Sequence, residues 1–338
     1  MRLDAQGGET GTTRACVVSP PPSSNDPKVL DMRSEPIRYL VTGGRGFIGR
    51  HVVRRLVAAG AEVHATTRAQ PPEQAGVRWW CADLTDARAA RIVMQQVRPD
   101  VVIHLASRAE GARSLSLVVP MLNDNVMSAV NVMTAAADVP DCRVVLAGSL
   151  EEHSDLEPGS GARSPYSASK IAATTYATLF RDLAQLPLVV MRLGMVYGPD
   201  DPHTTRLVPY VVDSLLRGVA PALSSGARRL DWVYVDDVVD ALLAAAVEPD
   251  ALGRVLDIGT GELASIRDAV SLIADVVGAR VAPMWGRLPD RPGDRDFVAD
   301  PEPAQEYLGW RARTSLRTGI ERTVGWHARQ VFGTAASA

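Results

Sequence analysis

A tyrosine and a lysine stand four residues apart in the run YSASK, with Tyr166 and Lys170 at its ends. Four residues make about one helical turn, so a helix here would place the phenol and the ammonium on one face. A neighbouring ammonium favours the phenolate, and we expect it to lower the pKa of Tyr166 from about 10. Such a phenol can give a proton to a carbinol oxygen or take one from it. Ser149, which ends an apolar run, can hydrogen-bond the same oxygen. The Tyr-x-x-x-Lys spacing alone is also common on exposed helix faces, so the pattern has a second interpretation.

The stretch RYLVTGGRGFIGR, residues 38–50, holds three glycines spaced for a turn between a strand and a helix. A short apolar run precedes Gly43, and an apolar helical pattern continues past Gly49 and stops at Gly60. Such a turn directs the N–H groups of a helix N-terminus at a pyrophosphate. Gly46 has no side chain and so lets the ligand approach the backbone closely. A glycine triplet alone also fits a surface turn, but the flanking strand and helix favour nucleotide binding.

Composition limits the kinds of partner. The chain has 338 residues, enough for one large or two modest domains, and a net charge of -3, which argues against a nucleic-acid binder. Cys16, Cys81 and Cys142 form neither a metal-ligand spacing nor a disulfide framework, so we expect no metal. The apolar runs are too short to cross a membrane, and the first residues lack the apolar core of a signal peptide. We therefore expect a cytoplasmic enzyme without a membrane partner.

Strand and helix patterns alternate from residue 37 onward. The predicted strands are 39–42, 62–66, 77–81, 101–105, 143–147 and 188–193, and the helices between and after them are 46–59, 86–96, 119–137 and 167–183. Parallel strands with intervening helices predict an α/β fold with a doubly wound parallel sheet of the Rossmann type. Such sheets bind ligands beyond the carboxyl ends of their strands.

The alternation breaks after Tyr197. Helical patterns over 207–217, 235–246 and 265–277 are mixed there with short strands and a Pro/Arg-rich stretch, which predicts a smaller C-terminal α/β domain that closes over a substrate. The predicted organisation is a disordered tail over 1–35, a Rossmann domain over 36–195 with a return segment near 228–260, and a substrate domain over 196–227 and 261–330.

Two arginines bear on the choice of cofactor. In a dinucleotide fold, an acidic residue that ends the second strand binds the ribose hydroxyls, whereas an arginine there favours the 2′-phosphate of NADP. Here the second strand runs HATTR with no carboxylate at its end, and Arg68 follows it, while Arg45 lies inside the glycine loop. Both could equally be solvated surface arginines. We favour NADP(H), with NAD(H) possible.

Several further motifs occur in order along the chain. They include the glycine triplet, Asp83-Leu84, His104-Leu105-Ala106, Asn125-Val126, Ser149, Tyr166-x-x-x-Lys170, Arg192-x-x-x-Val196-Tyr197-Gly198-Pro199, Tyr234-Val235-Asp236-Asp237-Val238, Asp290-Arg291-Pro292-Gly293-Asp294 and Leu308-Gly309-Trp310. From about residue 37 to residue 326, the chain resembles the extended short-chain dehydrogenase/reductases, specifically the NAD(P)-dependent epimerase/dehydratase family of nucleotide sugars. The resemblance implies a Rossmann domain, a small C-terminal domain that holds a nucleoside-diphosphate sugar, and a homodimer.

The resemblance and the pattern together assign candidate site residues. Ser149, Tyr166, Lys170 and Glu151 are the catalytic candidates; Asn125, Arg229 and Arg291 are the substrate candidates, with Arg291 expected at the diphosphate. The candidates for cofactor contact are Gly43, Arg45, Gly46, Phe47, Ile48, Gly49, Arg68, Asp83, Leu84, Leu105, Ala106, Tyr166, Lys170 and Leu193. Arg291 could instead cap its own loop, and Arg228 could take the place of Arg229.

The residues after Ser149 bear on the reaction. Sugar 4,6-dehydratases of this family carry an acidic pair there, and the position of the dehydratase acid is Leu150, which cannot donate a proton. Glu151 could act as a base or as an acceptor, or it could belong to an exposed loop. The run resembles that of 4-keto-6-deoxysugar reductases, and Met195 stands where the family places an asparagine.

The leading interpretation is therefore NADPH-dependent reduction of a keto group of a nucleoside-diphosphate deoxysugar, with C4 as the favoured position. The alternatives are a nucleotide-sugar epimerase, a 4,6-dehydratase and a cofactor-binding scaffold without turnover.

Overall fold

A computed structural model describes residues 36–155, 162–291 and 295–333. The predicted disordered tail, 1–35, lies outside the described residues. The central strands of the sheet form from apolar runs that are buried on both faces, as the all-buried run Val101–His104 illustrates.

Seven parallel strands form the main sheet. They are β1 (Arg38–Thr42), β2 (Glu62–Thr67), β3 (Val77–Cys81), β4 (Val101–His104), β5 (Arg143–Ser149), β6 (Leu188–Leu193) and β9 (Val255–Ile258). The spatial order is β3-β2-β1-β4-β5-β6-β9, with Thr42 opposite His104 at the carboxyl edge. This order, 3-2-1-4-5-6, is that of a doubly wound Rossmann sheet, so the predicted fold class is confirmed.

Helices cover both faces of this sheet. They are α1 (Phe47–Ala58), α2 (Ala87–Val97), α3 (Val118–Met121), α4 (Ser128–Ala136), α5 (Pro165–Ala184) and α7 (Val235–Val247). One apolar core lies between the sheet and α1 with α7, and a second lies between the sheet and α2, α4 and α5. The buried faces of these helices explain why their apolar periodicity was readable in the sequence.

Three strands that follow β6 in the chain form a second sheet. It contains β7 (Met195–Tyr197), β8 (Arg229–Tyr234) and β10 (Leu263–Ser265), with β8 parallel to β7 and antiparallel to β10. A third apolar core joins this sheet to α6 (Leu207–Leu216), α8 (Ile266–Val277) and α10 (Leu316–Phe332), while α9 (Glu302–Leu308) packs near β9. Residues from Pro36 onward form one compact unit, and the predicted division into two domains stays a prediction.

The predicted helix over 119–137 is wrong in one respect. Its centre is a wide π-helical turn, Leu122–Met127, between α3 and α4. Asn125 is buried inside this turn and bonds to Arg108 in the loop after β4 and to Ser169 on the helix that carries Tyr166. In a regular α-helix, Asn125 would lie farther from both partners. Such turns are frequent at functional sites.

Within the described segments, every helix is too short or too polar to cross a membrane.

Candidate active site

The glycine loop joins β1 to α1 through a turn that a larger side chain would not allow. Gly43 has a φ of +66°, and a Cβ on it would lie 2.9 Å from the backbone nitrogen and Cα of Ala106. The loop closes on itself through a 2.8 Å hydrogen bond from the Gly46 nitrogen to the Gly43 carbonyl oxygen. A Cβ on Gly49 would meet that same carbonyl oxygen. The glycines therefore keep the helix, the loop and the turn after β4 in backbone contact.

The turn after β4 is held by a buried threonine. Thr42 Oγ1 accepts hydrogen bonds from the backbone N–H groups of Leu105 and Ala106, each at 3.1 Å. The same oxygen lies 3.0 Å from His104 Nδ1. Because the oxygen already accepts twice, its own proton points to His104, which is fully buried and whose pKa burial lowers to about 3. His104 is neutral and fixes the turn beside the glycine loop, a role that its place in the His104-Leu105-Ala106 motif did not reveal.

The two arginines predicted to select the cofactor flank the end of β2. Arg45 donates to the carbonyl oxygen of Gln70 at 3.0 Å, and Arg68 pairs with Asp124 at 3.1 Å. Both side chains are solvent-exposed, and Thr67 is the last residue of the strand. A phosphate at this place would have to compete with Asp124 for Arg68.

The loop after β3 is fixed from two sides. Asp83 accepts from the backbone N–H and hydroxyl of Thr85, and Leu84 is buried. Asn131 donates from its amide to the carbonyl oxygens of Leu84 and Thr85, at 3.0 and 2.9 Å. Leu193 lies buried at the carboxyl end of β6, on the same edge of the sheet.

Helix α5 begins two residues before the predicted start, and this places Tyr166 in its first turn. Ser164 is the N-cap, and it exchanges reciprocal hydrogen bonds with Ser167; Pro165 supplies a preset φ. Lys170 follows one turn later and donates from Nζ to the carbonyl oxygen of Ala147 at 2.8 Å. The cap fixes the start of α5, and the bond from Lys170 ties this part of the helix to β5, the strand that ends in Ser149.

The structure brings Ser149, Tyr166 and Lys170 together. Ser149 lies close enough to the Tyr166 phenol for its side chain to lower the pKa of that phenol. Lys170 Nζ lies 5.9 Å from the centre of the Tyr166 ring, and a backbone N–H from Glu151 reaches Ser149 Oγ at 3.2 Å. These contacts leave the phenol, the serine hydroxyl and the ammonium on one edge of the sheet, next to the turn after β4.

The expected effect of Lys170 on the acidity of Tyr166 is wrong for the protein by itself. Burial raises the pKa of Tyr166 above its ordinary value, and the carboxylates of Glu151 and Glu152 raise it further, while the bond to Ser149 lowers it. Burial also lowers the pKa of Lys170, to about 8. Loss of water outweighs the ammonium here because Lys170 is directed to the Ala147 carbonyl rather than to the phenol oxygen.

Glu152 was not predicted as a site residue, yet it is more buried than Glu151. Its Oε1 accepts from the backbone N–H of Ser149 at 2.7 Å, and its Oε2 accepts from Thr174 Oγ1 at 2.8 Å. Glu151 instead is partly exposed and lies 3.5 Å from Arg228. Ser149-x-x-Glu152 has the spacing of a capping box, which is the sequence signal that could have found this residue.

Asn125 lies below the site and is held by protein groups. Its Oδ1 accepts from the N–H of Arg108 at 2.6 Å and from Ser107, and its amide donates to Ser169 at 2.8 Å. It therefore ties the loop after β4 to α5. Its assignment as a substrate residue stays a prediction.

The structure separates two neighbouring arginines, Arg228 just before β8 and Arg229 at its start. Arg229 forms a two-contact pair with Asp296 at 2.8 Å and is mostly exposed, whereas Arg228 points to Glu151. Arg228 is thus the arginine that reaches the catalytic strand end. Arg291 lies against the loop after β4, with its Cζ 3.2 Å from the place where a Cβ on Gly111 would be. Both substrate assignments, Arg229 and Arg291, stay predictions.

The residues present fit a nicotinamide dinucleotide. Gly46 caps α1 and brings no side-chain acceptor to the first N–H groups, which suits a pyrophosphate. Side chains added at Gly43 or Gly49 would collide with the backbone of Ala106 or of Gly43 and would distort the loop that carries these N–H groups. The fold and these groups define a dinucleotide-dependent enzyme with a Ser–Tyr–Lys centre.

The chain belongs to the NAD dependent epimerase/dehydratase family, whose sequence model matches residues 39–259. It is 33% identical over 309 residues to a UDP-glucose 4-epimerase of Mycolicibacterium smegmatis, covering 85% of this chain and 97% of the relative. It is 30% identical over 330 residues to a probable dTDP-glucose 4,6-dehydratase of Sinorhizobium fredii, covering 86% and 93%. It also resembles the structure of MoeE5 in complex with UDP-glucose and NAD, with a TM-score of 0.79, 31% identity and coverage of 87% and 99%.

These comparisons confirm that the protein is a nucleotide-sugar enzyme of the extended short-chain dehydrogenase/reductase type. They do not support ketone reduction as the leading interpretation, because the relatives named are an epimerase and a dehydratase. The alternatives that the sequence left open are better supported.

Proposed function

We propose that the protein is an NAD(P)-dependent epimerase that inverts a hydroxyl-bearing carbon, C4 in our interpretation, of a nucleoside-diphosphate sugar. The observation that carries the proposal is the cluster of Ser149, Tyr166 and Lys170 at the carboxyl edge of the sheet, where Lys170 Nζ lies 5.9 Å from the Tyr166 ring and bonds the strand that ends in Ser149. The relative from Mycolicibacterium smegmatis named as a UDP-glucose 4-epimerase supports the choice of reaction.

Each catalytic side chain has one task in this reaction. The bound nicotinamide supplies hydride chemistry. Tyr166 moves a proton between its Oη and the sugar oxygen, and Ser149 hydrogen-bonds the same oxygen while its charge changes. Lys170 keeps a positive charge behind Tyr166. Gly43, Gly46, Gly49 and the first turn of α1 would hold the cofactor pyrophosphate.

Dehydration is disfavoured by the residue that follows Ser149. Leu150 is buried and has no proton to give, and it stands where the dehydratases carry an acid. Elimination of a hydroxyl needs a positioned acid for the leaving group. An epimerase needs none, because the same oxygen is deprotonated and then reprotonated.

A second candidate is net reduction of a keto sugar by NADPH. The raised pKa of Tyr166 keeps the phenol protonated, which suits donation to a ketone oxygen. Arg45 and Arg68 flank the end of β2, where a 2′-phosphate would lie. We infer a preference for NADP(H) from these two guanidiniums.

The two candidates differ in stoichiometry. The full chain is incubated with a panel of UDP- and dTDP-hexoses and their 4-keto-6-deoxy forms, and products are followed by NMR and NAD(P)H by absorbance. Epimerisation forms a new sugar isomer without net cofactor use, whereas reduction consumes one NADPH per product. Tyr166→Phe should lower either rate by about 10²–10⁴-fold and leave cofactor binding intact. An unchanged rate in Tyr166→Phe contradicts the assigned chemistry.

The cofactor preference is measured separately. Arg45→Ala and Arg68→Ala should weaken the binding of NADPH and leave that of NADH unchanged, since only NADPH carries the phosphate. Equal losses for both cofactors would contradict the inference. The cytoplasmic location stays a prediction.

We also propose a homodimer through α3, the π-helical turn that follows it, and α5. Large apolar side chains are exposed along these helices and the turn before them, with Leu183 at 77% and Leu115 at 91% exposure. The others on this surface are Val119, Leu122, Tyr176 and Leu179. An apolar patch of this kind marks an interface. Light scattering should give twice the monomer mass for the wild type and a monomer for Leu179→Glu/Leu183→Glu; a monomeric wild type overturns the proposal.

A further inference from the structure

We propose that Glu152 is a positioning residue whose buried negative charge keeps the Lys170 ammonium protonated behind Tyr166. The proposal deepens the proposed function and rests on it for its catalytic consequence. It concerns a carboxylate that the sequence motifs did not single out.

The position of Glu152 is built into the strand end. The side chain is 7% exposed, and both carboxylate oxygens accept hydrogen bonds, one from Ser149 and one from Thr174. A Cβ on Gly148 would lie 2.5 Å from Glu152 Oε1. A glycine is therefore needed at 148 for the carboxylate to fold back under Ser149.

Positive groups face Glu152 from two elements. Burial raises the pKa of Glu152, whereas its two hydrogen bonds and the charges of Lys170 on α5 and Arg192 on β6 act in the opposite direction and favour the carboxylate. Arg192 is already balanced, because its Nε donates to Asp257 at 2.8 Å, and Asp257 also bonds His153 at 2.8 Å. Glu152 bonds the N–H of Ser149 and Lys170 bonds the carbonyl oxygen of Ala147, so both charged groups meet the end of β5 two residues apart. Glu152 is the carboxylate whose charge acts on Lys170.

Few other charges act on Lys170. Its Nζ donates to the carbonyl oxygen of Ala147, and the ring of Tyr166 is the neighbouring titratable group on its own helix. His104 faces it from β4 but is neutral, since burial and Lys170 together hold its pKa at about 3. Burial lowers the pKa of Lys170 to about 8, and Glu152 acts in the opposite direction. Without Glu152, the ammonium would lose its proton at a lower pH.

A purely structural role of Glu152 would depend on its hydrogen bond and not on its charge. Ser149-x-x-Glu152 forms half of a capping box, in which glutamine serves as well as glutamate. Glu152→Gln can therefore keep the bond to the Ser149 N–H and the helix start while it removes the charge. Thr174→Val is the matched control, because it removes one hydrogen bond and leaves the charge.

The chain offers a direct measurement, since Lys28 and Lys170 are its two lysines. Lysine labelled with ¹³C at Cε gives two signals in the full-length protein, and Lys28→Arg assigns them. The Lys170 signal should titrate near pH 8 in the wild type, and about one pH unit lower in Glu152→Gln. Thr174→Val should shift it much less. Thermal unfolding confirms that each variant is folded, and Glu152→Asp, which keeps the charge, should titrate closer to the wild type than Glu152→Gln.

The results separate the two proposals. A Lys170 pKa that is the same in Glu152→Gln and wild type overturns the role of Glu152, whatever the activity. If the wild type turns over no nucleotide sugar but the Lys170 signal shifts, the proposed function fails and the coupling stands. If the enzyme accepts a substrate, the pH above which kcat/KM falls should be about one unit lower in Glu152→Gln than in the wild type. A capping role alone would leave that pH unchanged.

Discussion

Replacement of Gly43 by alanine tests whether the glycine loop is the cofactor cradle. Gly43 has a φ of +66°, a conformation that costs an L-residue about 1 kcal/mol. Its new Cβ would also lie 2.9 Å from Ala106 Cα, well inside contact distance, so the loop or the turn after β4 must shift. A shifted loop misdirects the N–H groups at the start of α1. The loss of one such charge-assisted bond, about 1.5–3 kcal/mol, weakens cofactor binding by about 10- to 100-fold.

Gly60→Ala is the matched control for this experiment. Gly60 has a similar φ of +75°, but no heavy atom of the described residues lies within 4 Å of its added Cβ. It should cost about the same strain, lower Tm by about 2 °C and leave cofactor affinity unchanged. Binding is measured by fluorescence titration with NADH and NADPH, and stability by thermal unfolding. Wild-type affinity in Gly43→Ala, or equal losses in both variants, would refute the assignment of the cradle.

Two pH effects follow from buried groups. The kcat/KM should fall as the pH rises through about 8, because Lys170 loses its proton there; a profile that stays level to pH 9.5 contradicts this. His104 has a folded pKa of about 3 against 6.5 unfolded, so between these values the unfolded chain binds the extra proton and stability is lost as pH falls. The loss should reach about 2 kcal/mol at pH 5. The free energy of unfolding in urea should differ less between pH 7 and pH 5 in His104→Asn than in the wild type. An equal difference in both proteins would contradict this role of His104.

The sequence by itself determined the doubly wound sheet, and it predicted which residues form the Ser–Tyr–Lys cluster. Apolar runs such as Val101–His104 are buried on both faces, so their pattern needs no knowledge of the neighbours. The glycine spacing and Tyr166-x-x-x-Lys170 are local patterns, since a turn and one helical step fix their geometry. The glycine turn and the proximity of Tyr166 to Lys170 could therefore be predicted from the sequence, whereas the roles of these residues stay a prediction.

The tertiary structure decided what depends on packing between distant segments. The π-helical turn exists because Asn125 bonds to the loop after β4 and to α5. Arg228 rather than Arg229 reaches Glu151, because Asp296 pairs with Arg229 from a segment 67 residues away. The acidity of Tyr166 was set by burial, which a sequence does not display. Local spacing fixes which groups can meet, whereas water exclusion and long-range partners fix how each of them behaves.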